Sequence, residues 1–93
     1  MKARIIRHEK IIDELGNTVE IKMWQLPRPS TDKPHSYKYS LVYIVEDNRV
    51  IGYDNAEGKG DHRHYGDREE PYEFKNIDKL FEDFYRDIRR FNK

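Results

Sequence analysis

The sequence contains no cysteine, which excludes a disulfide framework and any zinc–thiolate centre. It also lacks an apolar stretch of signal-peptide or membrane-spanning length, so the expectation is a cytoplasmic protein without membrane contact. Charge of one sign is missing too. The 18 basic and 18 acidic side chains cancel, so no global field advertises nucleic acid, and any such contact must be local. Hydrophobic residues are scarce, 35% against 39% charged, yet they fall in periodic runs rich in Tyr, Phe, Ile and Val, which argues against disorder. Three of the four prolines, Pro27, Pro29 and Pro34, gather between Leu26 and Ser36 and predict an exposed, mobile loop. No repeat or low-complexity tract divides the chain. Residues 1–93 read as one domain with a modest core, burying roughly 60 to 65% of the unfolded surface.

The elements that are present read as strands followed by one helix. Ala3 to Ile12 carries Ile5, Ile6, Ile11 and Ile12 among charges, Leu15-Gly16-Asn17 supplies turn chemistry, and Val19, Ile21 and Met23 alternate with Glu20 and Lys22, predicting a hairpin. Tyr37 to Val45 alternates as well, but its second half is apolar on both faces, as befits a central strand. Asp47-Asn48 is expected to turn the chain into Arg49 to Tyr53. His62 to Tyr65, or Tyr72 to Phe74, would add a further strand. Ile77, Leu80, Phe81, Phe84, Ile88 and Phe91 then line one face of an amphipathic helix, with Asn76 as N-cap, Asp78 in the first turn, Arg89 and Arg90 in the last, and a Glu82–Arg86 pair on the solvent side. The predicted fold is α+β: a single curved antiparallel sheet of four to six strands, with the helix packed across one face against Val42, Ile44 or their cross-sheet neighbours.

Chemistry concentrates between Gly52 and Tyr65, where GYDNAEGKGDHRHY holds three of the five glycines and two of the four histidines. Neither common phosphate loop fits. A Walker A loop needs glycine where Tyr53 stands and Ser or Thr where Gly60 stands, and a dinucleotide fingerprint begun at Gly58 needs glycine at Arg63. An extended Asp61-His62-Arg63-His64 would project His62 and His64 to one side and Asp61 and Arg63 to the other. Two histidines at this spacing suit metal-independent RNA cleavage, one taking the 2′-hydroxyl proton and the other protonating the 5′-oxygen, while Lys59 or Arg63 steadies the phosphorane charge; no cofactor is required. They equally suit a metal centre, His62 and His64 joining Asp54 or Asp61. A third reading has these groups satisfying only one another and the loop backbone, and a fourth is a non-catalytic module whose Gly58 to His64 loop captures phosphate, nucleic acid or a protein. The expected arrangement is a concave pocket holding His62, His64, Asp54 and Lys59. His8 and His35 stand apart and are read as surface residues.

From Tyr43 to about Phe91 the chain resembles the TumE family of small prokaryotic toxins from two-gene toxin–antitoxin modules, through GYDN, GKGDHRH, EPYEF and the terminal amphipathic helix. The amino-terminal strands match in character only. The resemblance implies a toxin subunit paired with a helix-turn-helix antitoxin from the adjacent gene, and it covers Asp54, Lys59, His62, Arg63 and His64, with Tyr53 beside them. Ribonuclease action is read from the residues and from RNA as the common target of small toxins. An exposed strand edge would make a homodimer feasible.

Overall fold

The computed structural model describes residues 3–31, 33–55 and 60–93. Six strands, β1 (Arg4–Ile12), β2 (Thr18–Gln25), β3 (Tyr37–Val45), β4 (Asn48–Asp54), β5 (His62–Tyr65) and β6 (Arg68–Pro71), precede one helix, α1 (Ile77–Phe91). The strands form one open sheet in sequence order, every neighbouring pair antiparallel. This is the expected α+β architecture, with β3 and β4 at its centre.

Alternation decides which face the helix covers. Val19, Ile21 and Met23 of β2, Tyr39, Leu41 and Tyr43 of β3, and Ile51 and Tyr53 of β4 are buried with Leu80, Phe81, Phe84 and Ile88. The helix therefore covers the tyrosine face of β3. Val42 and Ile44 point the other way and are only half-buried. Asn76 caps α1 as expected, its backbone extended and its Oδ1 accepting from Lys79 N at 2.7 Å. Arg86 departs from the expected pairing, bonding Asp83 at 3.0 Å instead of Glu82. Asp83 is the better partner because Lys79 also reaches it at 3.1 Å and the Tyr72 hydroxyl donates to it at 2.6 Å.

The connections carry their own corrections. Between β1 and β2, Asp13 Oδ1 accepts from the amides of Leu15 and Asn17, both at 2.9 Å, and Gly16 takes φ 82°, where a side chain would be strained. The β3–β4 turn is made by Glu46-Asp47, one residue earlier than expected, with both φ values positive (50° and 66°), as a two-residue hairpin turn matching strand twist requires. The loop from Leu26 to Ser36 is exposed from Pro27 to Thr31, and a Leu26 N to Ser36 O bond of 2.8 Å closes its base. The last hairpin uses His62–Tyr65 and Arg68–Pro71; Tyr72 to Phe74 lies outside any strand. Tyr72 instead stands edge-on to Tyr53, ring centroids 4.9 Å apart. Among the described residues no helix is long and apolar enough to cross a membrane.

Candidate active site

The face of the sheet turned away from α1 carries a compact polar cluster. In β4–β5 the register pairs Asp54 with His62 and Gly52 with His64, and in β5–β6 it pairs His64 with Glu69. Directly opposed residues share a face, so Asp54, His62, His64 and Glu69 converge there. His62 Nε2 lies 2.8 Å from Asp54 Oδ1 and 3.7 Å from Glu69 Oε2, while His64 Nε2 lies 3.2 Å from Glu69 Oε2 and 3.8 Å from Asp54 Oδ2. The two rings are 5.1 Å apart and nearly perpendicular, each side chain only 13% exposed.

A fifth member, Arg49, is invisible to strict alternation, which would put it on the helix face with Ile51 and Tyr53. The β3–β4 register shifts between Tyr43 and Ile44, so Arg49 comes to oppose Ile44, and such a bulge re-aims a side chain to the other face. Arg49 then lies across Gly52. A Cβ at Gly52 would meet Arg49 Cδ at 3.1 Å and His64 Cδ2 at 3.7 Å, so the missing side chain is the space through which Arg49 Nη2 reaches His64 Nδ1 at 3.2 Å. Glu69 was out of reach of sequence reasoning for a different reason: β6 lies at Arg68–Pro71, ahead of the segment expected to form it.

Hydrogen-bond partners set the two histidines apart. His62 Nδ1 faces the Gly60 carbonyl at 3.2 Å and Nε2 faces the Asp54 carboxylate. Both partners are acceptors, so either ring nitrogen of His62 is placed to donate. Arginine only donates, so His64 Nδ1 must carry the lone pair and Nε2 the proton, which is given to Glu69. Burial and the adjacent Arg49 charge hold the His64 pKa below its ordinary 6.5, outweighing the pull of Glu69 and Asp54. His62 thus faces acceptors while His64 faces a donor, so the two imidazoles sit in different environments.

The remaining sequence-derived residues are placed elsewhere. Lys59 lies outside the described residues. Arg63 and Asp61 are not brought to the histidines. Arg63 points to the helix face, its Nε donating to Asp87 Oδ2 at 2.9 Å and to the Tyr53 hydroxyl at 3.0 Å, with Glu70 paired to its Nη1. Asp87 is fully buried and also accepts from Tyr53 at 2.5 Å, so Arg63 and Tyr53 together anchor α1 to the sheet. Burial and then the Asp87 hydrogen bond push the Tyr53 hydroxyl well above its ordinary value. Arg63→Ala would leave the Asp87 carboxylate with the Tyr53 hydroxyl and the more distant Arg86 at 3.7 Å. With the Arg63 side chain 21% exposed, a loss of about 2 to 3 kcal/mol is expected, below the full cost of breaking a buried pair, and a lowered urea midpoint would record it.

Asp61 accepts from the Tyr39 hydroxyl at 2.5 Å and lies 2.9 Å from His35 Nε2. His35 is accordingly no surface residue: its ring sits 4.0 Å from that of Phe74 and its side chain is 13% exposed. His8 is exposed, as expected. Two clefts lie elsewhere, of about 240 and 410 Å³, the first lined by Arg63, Tyr65, Arg68, Glu70 and Arg90 and the second by residues around His35 and Phe74.

Asp54, His62 and His64 each offer one ligand atom within 4.8 Å of the others, so a metal is geometrically conceivable. Their hydrogen bonds fit it in part. His62, with Nδ1–H on the Gly60 carbonyl, could present a bare Nε2. His64 fits once the exposed Arg49 moves aside, because baring Nε2 in a neutral ring puts a proton on Nδ1, facing that donor. Asp61 is committed to Tyr39 and His35.

Comparison with known proteins gives one family. The family model described as Toxin TumE matches residues 2–92, extending the resemblance through the amino-terminal strands. No curated protein and no solved structure matches the chain. A toxin of this kind implies an antitoxin partner. With the match running over nearly its whole length, the chain belongs to the TumE toxin family, as the toxin component of a toxin–antitoxin system.

Proposed function

We propose that this toxin acts in the cytoplasm by cleaving RNA without a metal ion, and that a helix-turn-helix protein from the adjacent gene restrains it. The observation that carries the reading is a pair of adjacent imidazoles, 5.1 Å apart on the open face, one facing the acceptors Gly60 O and Asp54 and the other facing the Arg49 donor. His64 Nδ1 takes the proton of a ribose 2′-hydroxyl that displaces Arg49 from its lone pair. The 2′-oxygen then bonds to phosphorus, and the bond from phosphorus to the 5′-oxygen breaks. His62, turning its Nε2–H from Asp54 toward the substrate, gives that proton to the departing 5′-oxygen, leaving a 2′,3′-cyclic phosphate and a 5′-hydroxyl. Asp54 holds His62 in register, and Arg49, released from His64, meets the negative charge on the phosphorane. Lys59 shares that last role on the strength of the sequence.

A small metal-dependent hydrolase is the second reading, favoured by the three ligand atoms within 4.8 Å. A pH profile of cleavage with and without EDTA separates the two. Paired histidines predict a bell-shaped profile that survives EDTA, its acid limb set by His64 at a pKa below 6.5 and its alkaline limb by loss of the proton that His62 must give. Arg49→Ala removes one cause of that depression, so the acid limb should move upward toward 6.5 and the rate should fall. Loss of activity in EDTA with recovery on adding metal would favour the metal reading. Association without turnover would favour a binding module.

A further inference from the structure

We propose that the cleft between the β5–β6 hairpin and the carboxy-terminal end of α1 is a second contact for single-stranded RNA, in which Arg68 and Arg90 grip a backbone phosphate of the strand lying over His62 and His64. The inference rests on the RNA reading above and adds a site on the opposite face of the sheet. The cleft, of about 240 Å³, is lined by Arg63, Tyr65, Arg68, Glu70 and Arg90. It is too small for a drug-sized ligand and suits a phosphate with part of its sugar.

Its charges are not used alike. Arg63 is spent on Asp87 and Glu70, and the same pair neutralises the one carboxylate in the lining. The side chains of Arg68 and Arg90 have no ion-pair or hydrogen-bond partner among the described residues, and both residues are exposed. Two free guanidiniums converging on one cleft, in a chain whose overall charge is zero, form a local anion site of the kind that bidentate arginine recognises best. Tyr65 also lines the cleft, with the Arg63 guanidinium carbon over its ring 5.5 Å from the centroid.

The topology links this site to the histidines. β6 is the edge strand, four residues long. Glu69 points from it to the histidine face, whereas its neighbours Arg68 and Glu70 oppose Tyr65 and Arg63 on the helix face. One short strand therefore separates the two sites, and a flexible RNA backbone can pass round that edge. A double helix is too stiff to follow this path, so the strand must be single.

The test compares the wild type with an Arg68→Ala/Arg90→Ala variant, both carrying His64→Ala to prevent cleavage. A short labelled single-stranded RNA is titrated by fluorescence anisotropy at several salt concentrations, with inorganic phosphate as a second probe followed through arginine side-chain NMR signals. Affinity for RNA should fall about tenfold or more in the double variant, and the salt dependence should become shallower by about 0.7 in log–log slope for each phosphate no longer held. Unchanged affinity and slope overturn the proposal. Perturbation by inorganic phosphate alone, with RNA binding unaffected, overturns it in favour of a free anion, and loss of antitoxin binding alone overturns it in favour of a protein interface. Circular dichroism and the urea midpoint confirm that the variant is folded. Cleavage is scored separately, with His64 restored: arginine-dependent binding without turnover would defeat the ribonuclease reading and leave this site standing, whereas turnover with an unchanged KM in the double variant would do the reverse.

Discussion

Replacing either His62 or His64 with alanine is expected to abolish toxicity while leaving the protein folded. Proton removal and proton donation belong to one reaction, so losing either partner costs about 10²- to 10⁴-fold in rate. The effect should be non-additive, the double variant falling little below either single one, because the pair acts as a unit. The fold should survive because both side chains lie on the face that α1 does not cover, outside the apolar core. Growth after induced expression, with and without the neighbouring gene, reads toxicity, and cleavage of RNA by purified protein reads chemistry. Full activity in the His62→Ala/His64→Ala protein would end the catalytic assignment. Disappearance of toxicity alongside a collapsed circular dichroism spectrum would make the histidines structural.

On the other side of the sheet, Phe84→Ala should cost about 3 to 5 kcal/mol. Phe84 is fully buried, edge-on to Tyr53 with ring centroids 6.1 Å apart, and 5.4 Å from the Tyr85 ring. The loss is that of a large aromatic from the middle of the one helix–sheet interface, where little can move in to fill the cavity. Domains of this size have about 5 to 15 kcal/mol of total stability, so the substitution removes a large share of it. Urea denaturation measures it, and a cost under about 1 kcal/mol would mean that the helix is not held by this stripe. Because Phe84 and the histidines lie on opposite faces, the two sets of substitutions should separate stability from chemistry.

Much of this arrangement was legible as period. The i, i+3, i+4 spacing identified α1 and the buried Leu80, Phe81, Phe84 and Ile88, though Phe91 at its end is exposed. The two-residue alternation identified the core side of β2, because a side chain's direction is set by backbone geometry within a few residues. β3, apolar on both faces in its second half, left its core side open, and the helix covers the tyrosines rather than Val42 and Ile44. The same rule put His62 and His64 on one face and Arg63 and Asp61 on the other. What alternation did not supply was the neighbour across each strand. Asp61 was a ligand candidate by adjacency, but it turns toward Tyr39 and His35, which is 26 residues away in sequence. The β3–β4 turn fell one residue early because pairing, including a bulge, fixes the register, and local turn chemistry only marks the vicinity.

By itself the sequence determined an α+β domain with one amphipathic helix, the pairing of two histidines in an extended segment, and membership of the TumE family through GYDN, GKGDHRH and EPYEF. These are properties of local period and of residue identity at fixed spacing. Only the tertiary structure decided who meets whom. It brought Glu69 from β6 to His64, turned Arg49 through a bulge and over Gly52 onto the same ring, and moved Arg63 from the site to the Asp87 anchor. Each of these depends on strand register or on docking of α1, and both are fixed by the summed burial of the whole core, which no short stretch of the chain encodes.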